Sequence, residues 1–206
     1  MLYKFILYCI SLPFLILILP FGIIAWIEKM LSKEDYLFSF GAHFVAIFPG
    51  FIGENVRRLY YIFTLDNYHP TAVMSLGSFF SKRNAKVHAH VVIGAYCVIG
   101  LVDIQESVRI ASRVSITSGL HQHGNSSNIS SGKESEGRFN RITIGSHSWL
   151  GEGSTISASI GKNCIIGVGS VVTNEISDNN MAMGNPARKL PTATSTPVVS
   201  INPIAD

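Results

Sequence analysis

Two histidines, His121 and His123, sit in the stretch SGLHQHG, where a regular pattern gives way to a polar segment. Histidine suits proton transfer near neutral pH, so either residue is a candidate general base. The plainer role for each is a turn hydrogen bond. Such a base needs a partner to fix its tautomer. Asp103, at a slip in the pattern, is the candidate for that or for holding a substrate hydroxyl, and a turn-capping aspartate is its plainer role. Trp149, in GSHSWLGEGS, offers a flat apolar wall, and the backbone N–H of Gly151 or Gly153 is a candidate donor to an oxyanion. Arg188 and Lys189, in GNPARKL, are suited to pairing with phosphates; solvated charges on a terminal turn are the alternative.

The elements that must position these residues follow a six-residue period. An aliphatic side chain recurs at Val87, Ile93 and Ile99, and after a one-residue slip at Ile110 and Ile116. It returns at Ile144, Leu150 and Ile156, then at Ile166 and Val172 after a shorter step. Glycine follows at Gly94, Gly100, Gly145, Gly151 and Gly167. Period six fits neither a helix nor a simple strand. It fits short strands joined by tight turns, each burying one side chain on a common axis, with successive rungs pairing their backbones. The fold class is therefore mainly β, a parallel β-helix over 78–190, interrupted by a polar loop at 117–141. A loop of this length in a solenoid is either functional or disordered. It is expected to project to a neighbouring subunit.

Ahead of the coil, no charged residue occurs from Phe5 to Ile27, a run long enough to cross a bilayer. Residues 1–35 are predicted to be an uncleaved membrane anchor helix, which Pro13 and Pro20 would kink; a re-entrant hairpin is the alternative. Lys29, Lys33, Arg57 and Arg58 after the run, against Lys4 before it, put the following domain on the cytoplasmic side of the inner membrane. Segment 36–77 reads as interfacial and helical. Its Arg57, Arg58, Tyr60 and Tyr61 either rest against headgroups or pack over the first rung as a cap. Residues 191–206, rich in Thr, Ser and Pro, are expected to form a flexible tail. The formal charge of +3 and the lack of a long basic run give no sign of nucleic-acid binding. Cys97 and Cys164 fall in the small inward slot of the repeat and Cys9 in the apolar run; all three read as reduced packing residues.

Taken in order, the repeat, the His-bearing loop, ITIGSHSWLGEGS, CIIGVGSVVTNEI and MAMGNPARKL resemble the hexapeptide-repeat acyltransferases, over about residues 80–190. The N-terminal run with GENVRRLYY and SGLHQHG is similar to a membrane-linked branch associated with surface polysaccharide synthesis. The resemblance implies a left-handed β-helix, a homotrimer and acetyl-CoA held between subunits, with no metal. It puts the general base at His123, with His121 as rival. It puts the coenzyme on Trp149, Gly151, Val168, Thr173, Asn174 and Arg188, to which the residue types add Lys189 and Gly153. The implied reaction is O-acetylation of a sugar hydroxyl on a cell-surface polysaccharide or lipid-linked precursor. N-acetylation of an amino sugar and acetylation of a small soluble alcohol are the alternatives. Departures are the short step from Ile156 to Ile166, Gln105 at a turn-glycine position, and Val168 where alanine is usual. Two other classes compete: a carbonic-anhydrase-like β-helix binding zinc through His88, His90, His121 and His123, and a scaffold that only trimerises.

Overall fold

The computed structural model describes residues 2–32, 34–119 and 139–190, with the backbone alone for 2–11 and 15. His121, His123, Lys33 and the tail 191–206 lie outside the described residues, as do the side chains of Lys4 and Cys9.

Helices α1 (Leu2–Leu31), α2 (Tyr36–Ala46) and α3 (Gly50–Thr64) precede a coil of short strands, β1–β16, running from Asn67 to Lys189. The strands stack in three faces. The first holds β1 (Asn67–Tyr68), β4 (Lys86–Val87), β7 (Val102–Ile104) and β10 (Ile142–Ile144). The second holds β2 (Val73–Met74), β5 (Val92–Ile93), β8 (Arg109–Ile110), β11 (Trp149–Leu150), β13 (Ile165–Ile166), β15 (Met181–Gly184) and β16 (Ala187–Lys189). The third holds β3 (Phe79–Phe80), β6 (Val98–Ile99), β9 (Ser115–Ile116), β12 (Thr155–Ile156) and β14 (Val171–Val172). All neighbours are parallel except the closing β15–β16 pair. This is a parallel β-solenoid.

The buried residue of each strand is the one the period marks. Val87, Ile93, Ile99, Ile144, Leu150, Ile156, Ile166 and Val172 are each 0% exposed. The smaller inward slot stitches one coil to the next where it holds serine. Ser78 Oγ donates to the Gly94 carbonyl and accepts from Cys97 N–H; Ser148 Oγ does the same with Gly161 and Cys164. A buried hydroxyl is thereby satisfied without breaking the ladder. Cys97 and Cys164 are free and buried, as expected of packing residues. The corners demand left-handed backbone. His90, Ser107, His147, Asn163 and Asn179 take it on one edge, and Gly77, Tyr96, Arg113, Gly153 and Gly169 on another.

The coil starts at Asn67, not near Ser78, because the rungs at Tyr68, Met74 and Phe80 carry large side chains in place of the Val/Ile and Gly that mark the repeat. Segment 36–77 is therefore two helices and most of a first coil. The slip near Asp103 is absorbed by β7, which is one residue longer than its neighbours and stays in register with β4 and β10.

Helix α3 caps the open end of the solenoid. Tyr60, Tyr61 and Arg57 are fully buried, so they do not face headgroups. Tyr61 Oη accepts from Phe80 N–H, and Tyr60 Oη donates to the Phe38 carbonyl. Burial pushes the phenols of Tyr60, Tyr61 and Tyr68 well above the usual tyrosine range and lowers the Arg57 pKa. Charges from neighbouring helices hold α2 at both ends. The Glu28 carboxylate accepts from Leu37 and Phe38 N–H at its N-terminus, and Arg57 donates to the Val45, Ala46 and Phe48 carbonyls at its C-terminus. Both fit the helix dipole and its orphan backbone groups.

On α1, Ile18, Gly22, Ala25 and Glu28 form the buried face, and Ile16, Ile23, Ile24, Trp26, Ile27, Met30 and Leu31 stay exposed. The segment Leu12–Leu31 is long and apolar enough to cross a membrane, with a mean hydropathy of 2.0. Its end is tied to the coil, since Lys29 pairs with Asp66 at 2.9 Å and Glu28 with Arg83 at 3.1 Å. Glu28 is thus a buried strut between α1, α2 and the coil.

Candidate functional site

The polar excursion leaves the coil after β9 and returns at β10. Its described roots stand together, with Asn140 N–H donating to the Ser118 carbonyl at 2.9 Å. Across the excursion the coil keeps its register: Val102 pairs with Ile142, Arg109 with Trp149 and Ser115 with Thr155. The segment bearing His121 and His123 is therefore tethered at one corner of an unbroken solenoid, between the third and first faces.

Asp103 lies on the first face, between Lys86 and Thr143 in register. Its Oδ1 is 3.0 Å from His88 Nε2 and accepts from Gln105 Nε2 at 2.9 Å. Among the described residues, the imidazole that Asp103 contacts is that of His88. Sequence reasoning considered His88 only as a zinc ligand and did not pair it with Asp103. The signal was present: Val87 and Ile104 are register partners, which brings the residues flanking them onto one patch. His90 and His147 take left-handed corner positions (φ 59° and 60°), a conformation histidine tolerates better than most residues. Among the described residues no group of three or more His, Cys, Asp or Glu converges.

The coenzyme candidates divide between places. Trp149 is 41% exposed on the second face, in register with Arg109 and Ile165. Gly151, Gly153 and the exposed Val168 follow at the edge shared with the third face. Thr173 and Asn174 stand beyond β14 at the far edge of the third face, with Asn174 Nδ2 donating to Thr173 Oγ1 at 3.4 Å. Arg188 and Lys189 lie on β16. Arg188 Nη1 donates to the Ala187 carbonyl at 3.2 Å, and Lys189 Nζ to Ser177 Oγ at 2.6 Å.

Gly151 and Gly153 need their glycines for different reasons. A Cβ on Gly151 would come within 2.6 Å of the Ile166 oxygen and Val168 nitrogen of the next coil. Gly153 has open space but a φ of +68°. Their N–H groups are spent in the coil, on the Ile166 and Ser112 carbonyls at 2.8 and 3.0 Å. Neither is free to receive an oxyanion.

A parallel β-solenoid with a helical cap, an apolar N-terminal helix and one long excursion is thus the class defined by fold and geometry. No family model matches the chain. The Saccharomyces cerevisiae protein YJL218W, whose acetyltransferase activity is assigned by name only, is 45% identical over 49 residues. That match covers 23% of this chain, and the chain spans about a quarter of the relative's length (25%). Among solved structures, the N-acyltransferase AntD from Bacillus cereus, in complex with dTDP-4-amino-4,6-dideoxyglucose and coenzyme A, is 17% identical, with a TM-score of 0.48. That likeness covers 62% of this chain and 76% of AntD. A maltose O-acetyltransferase from Clostridium difficile 630 is 24% identical, with a TM-score of 0.42, over 66% of this chain and 74% of its own. Likenesses this loose leave the fold to be read from the chain's own strands.

Proposed function

We propose that this protein is a membrane-associated, acetyl-CoA-dependent O-acetyltransferase whose acceptor is a sugar hydroxyl on a cell-surface polysaccharide or lipid-linked precursor. The observation that carries the reading is the unbroken register across the excursion. The coil tethers a His-bearing segment at a fixed corner, and the order of motifs around it is that of the hexapeptide-repeat acyltransferases. The short match to an assigned acetyltransferase agrees with it.

His123 is the proposed base and His121 its rival. The base takes the acceptor hydroxyl's proton as the oxygen attacks the thioester carbonyl. As the tetrahedral intermediate collapses, the C–S bond breaks, and the thiolate of coenzyme A leaves with the proton returned by the imidazolium. Such a base typically contributes about 10²–10⁴-fold. Trp149, Val168, Thr173, Asn174, Arg188 and Lys189 are the proposed coenzyme wall, with Gly151 and Gly153 keeping the coil close-packed beneath it. Trp149 and Thr173 stand on different faces of one protomer, and a seam between copies would join such faces, which supports a homotrimer. The exposed apolar face of α1 supports the membrane, with the coil on its cytoplasmic side.

The test is release of free thiol from acetyl-CoA by the full chain in detergent micelles, offered sugar acceptors. Turnover is expected to fall by about a hundredfold or more in His123→Ala while coenzyme affinity holds. An unchanged rate moves the base to His121, or to His88 with its carboxylate. Lability of the product to mild hydroxylamine marks an ester; a stable product is an amide and overturns O-acetylation. No thiol release with any sugar acceptor sinks the reading.

A further inference from the structure

A cavity of about 430 Å³ opens between the end of α1 and the first coils, within the range of small-molecule sites. Lys29, Ser32 and Asp35 line it from the end of α1 and the turn after it, and Asp66, Lys82, Arg83, Asn84, Leu101 and Phe139 from the coil and the corner of the excursion. We infer that this cavity is the acceptor subsite, built for a sugar phosphate. The inference rests on the acyl-transfer reading and adds where the acceptor sits.

The central observation is Arg83. Its side chain is 5% exposed. Nε donates to Asp35, and Nη2 to Glu28 and to the Glu34 carbonyl. Nη1 is buried and has no partner among the described residues. A buried guanidinium donor without a partner, in a residue that lines the cavity, is costly unless a group reaches it on local rearrangement, and a phosphate is the group its planar fork fits best. Lys82 adds charge that little else engages. Its ammonium lies 4.0 Å from Asp35 Oδ2 and 4.3 Å from the centroid of the Phe139 ring. Lys29 is held by Asp66, which Arg141 also approaches at 3.8 Å.

The lining is mixed rather than uniformly basic. Carboxylates, an amide and a hydroxyl accept or donate to a ring of hydroxyls, and the half-exposed Phe139 offers a stacking face. With Glu28 behind Arg83 and Arg141 beside Asp66, four cations face three carboxylates, which suits a polyhydroxylated ligand with one anionic group better than a bare polyanion.

Position joins the cavity to both proposed ends of the reaction. Phe139 stands on the returning arm of the excursion, three residues before β10. Leu101 N–H donates to Ser118 Oγ at its other root, and the Leu101 carbonyl accepts from Ile142 N–H. Across the cavity, Lys29 and Ser32 flank the exposed Met30 and Leu31 at the end of the apolar helix. A sugar phosphate seated here lies between a membrane-type surface and the corner of the coil from which the His-bearing segment departs.

The experiment measures equilibrium binding to the full chain in detergent or nanodiscs. The probes are inorganic pyrophosphate, a soluble hexose 1-phosphate and a polyprenyl-phosphate-linked hexose. Both sugar phosphates are expected to saturate. Lys82→Gln should weaken them by about tenfold, the loss of one charge-assisted contact, and Phe139→Ala should weaken them while leaving pyrophosphate unchanged. Both side chains are partly exposed, so thermal midpoints should hold near wild type, and Arg83→Gln supplies a harsher third test. Preference for the polyprenyl probe identifies a lipid-linked acceptor, and equal affinities a soluble one; either supports the site. Absence of saturable sugar-phosphate binding, or wild-type affinity in both Lys82→Gln and Phe139→Ala, overturns it and leaves the charges as a latch between α1 and the coil. Thiol release with no probe binding refutes this site alone. Binding without thiol release refutes the acyl-transfer reading alone.

Discussion

Replacing Arg57 by methionine tests how α3 holds the helices on the coil. Arg57 Nε donates to the Met74 carbonyl of β2 at 3.0 Å, and Nη1 to Phe48 at 2.7 Å, with longer contacts to Val45 at 3.3 Å and Ala46 at 3.4 Å. Two short bonds from a charged donor are worth about 3–6 kcal/mol together. Against that stands the desolvation that lowers the guanidinium pKa, and Nη2, which is buried with no partner among the described residues. Methionine removes those penalties but leaves carbonyls at the C-terminus of α2 unmet. The net loss is about 2–4 kcal/mol. At about 2–4 °C per kcal/mol for a domain of this size, the midpoint should fall by roughly 4–16 °C. Thermal unfolding followed by circular dichroism at fixed detergent concentration reads it. Arg57→Lys should recover only part of the loss, because one ammonium cannot span β2 and the end of α2 as the fork does. A headgroup-facing arginine would change stability by no more than about 0.5 kcal/mol. A midpoint within about 2 °C of wild type would therefore refute the cap.

Gly151→Ala should destabilise more than Gly153→Ala. The first forces a Cβ against the backbone of the next coil and should cost about 2–3 kcal/mol, whereas the second meets open space and costs only the left-handed φ, about 1–2 kcal/mol. Denaturant midpoints compare them, and equal losses would contradict the stacking. Tyr60, Tyr61 and Tyr68 are held neutral by burial, so their folded pKa values lie above the unfolded value of about 10. The sign follows from that order: stability is intact below about pH 10 and is lost as pH rises toward the folded values. Denaturation midpoints that stay level from about pH 8 to pH 11 would count against it. Burial also pushes the Cys97 thiol up. A maleimide at about pH 7.5 should leave Cys97 unlabelled by mass spectrometry until the chain is denatured, and labelling in the folded protein would show the slot to be open.

Much of the solenoid was legible in the chain because its period is written in single residues. Each strand buries one side chain, so Ile93, Ile99 and Ile110 announce their faces without knowledge of any neighbour. Gly151 likewise advertises a close approach that only the smallest residue permits. The first coil was missed because Tyr68, Met74 and Phe80 interrupt that code where α3 packs over it. The cysteine slot was readable from spacing alone.

What only the tertiary structure decided concerns charges whose partners are far along the chain. Arg57 and Arg58 read equally well as headgroup contacts or as part of a cap; burial against α2 and β2 makes Arg57 the clasp of the cap. Glu28 and Arg83 meet across 55 positions of sequence. Asp103 finds His88 because the coil returns the chain to the same face one turn later. Local period fixes which side chains point inward, since that choice depends on strand geometry alone. Pairing of buried charges depends on which surfaces meet, and that is settled only when the helices close over the coil.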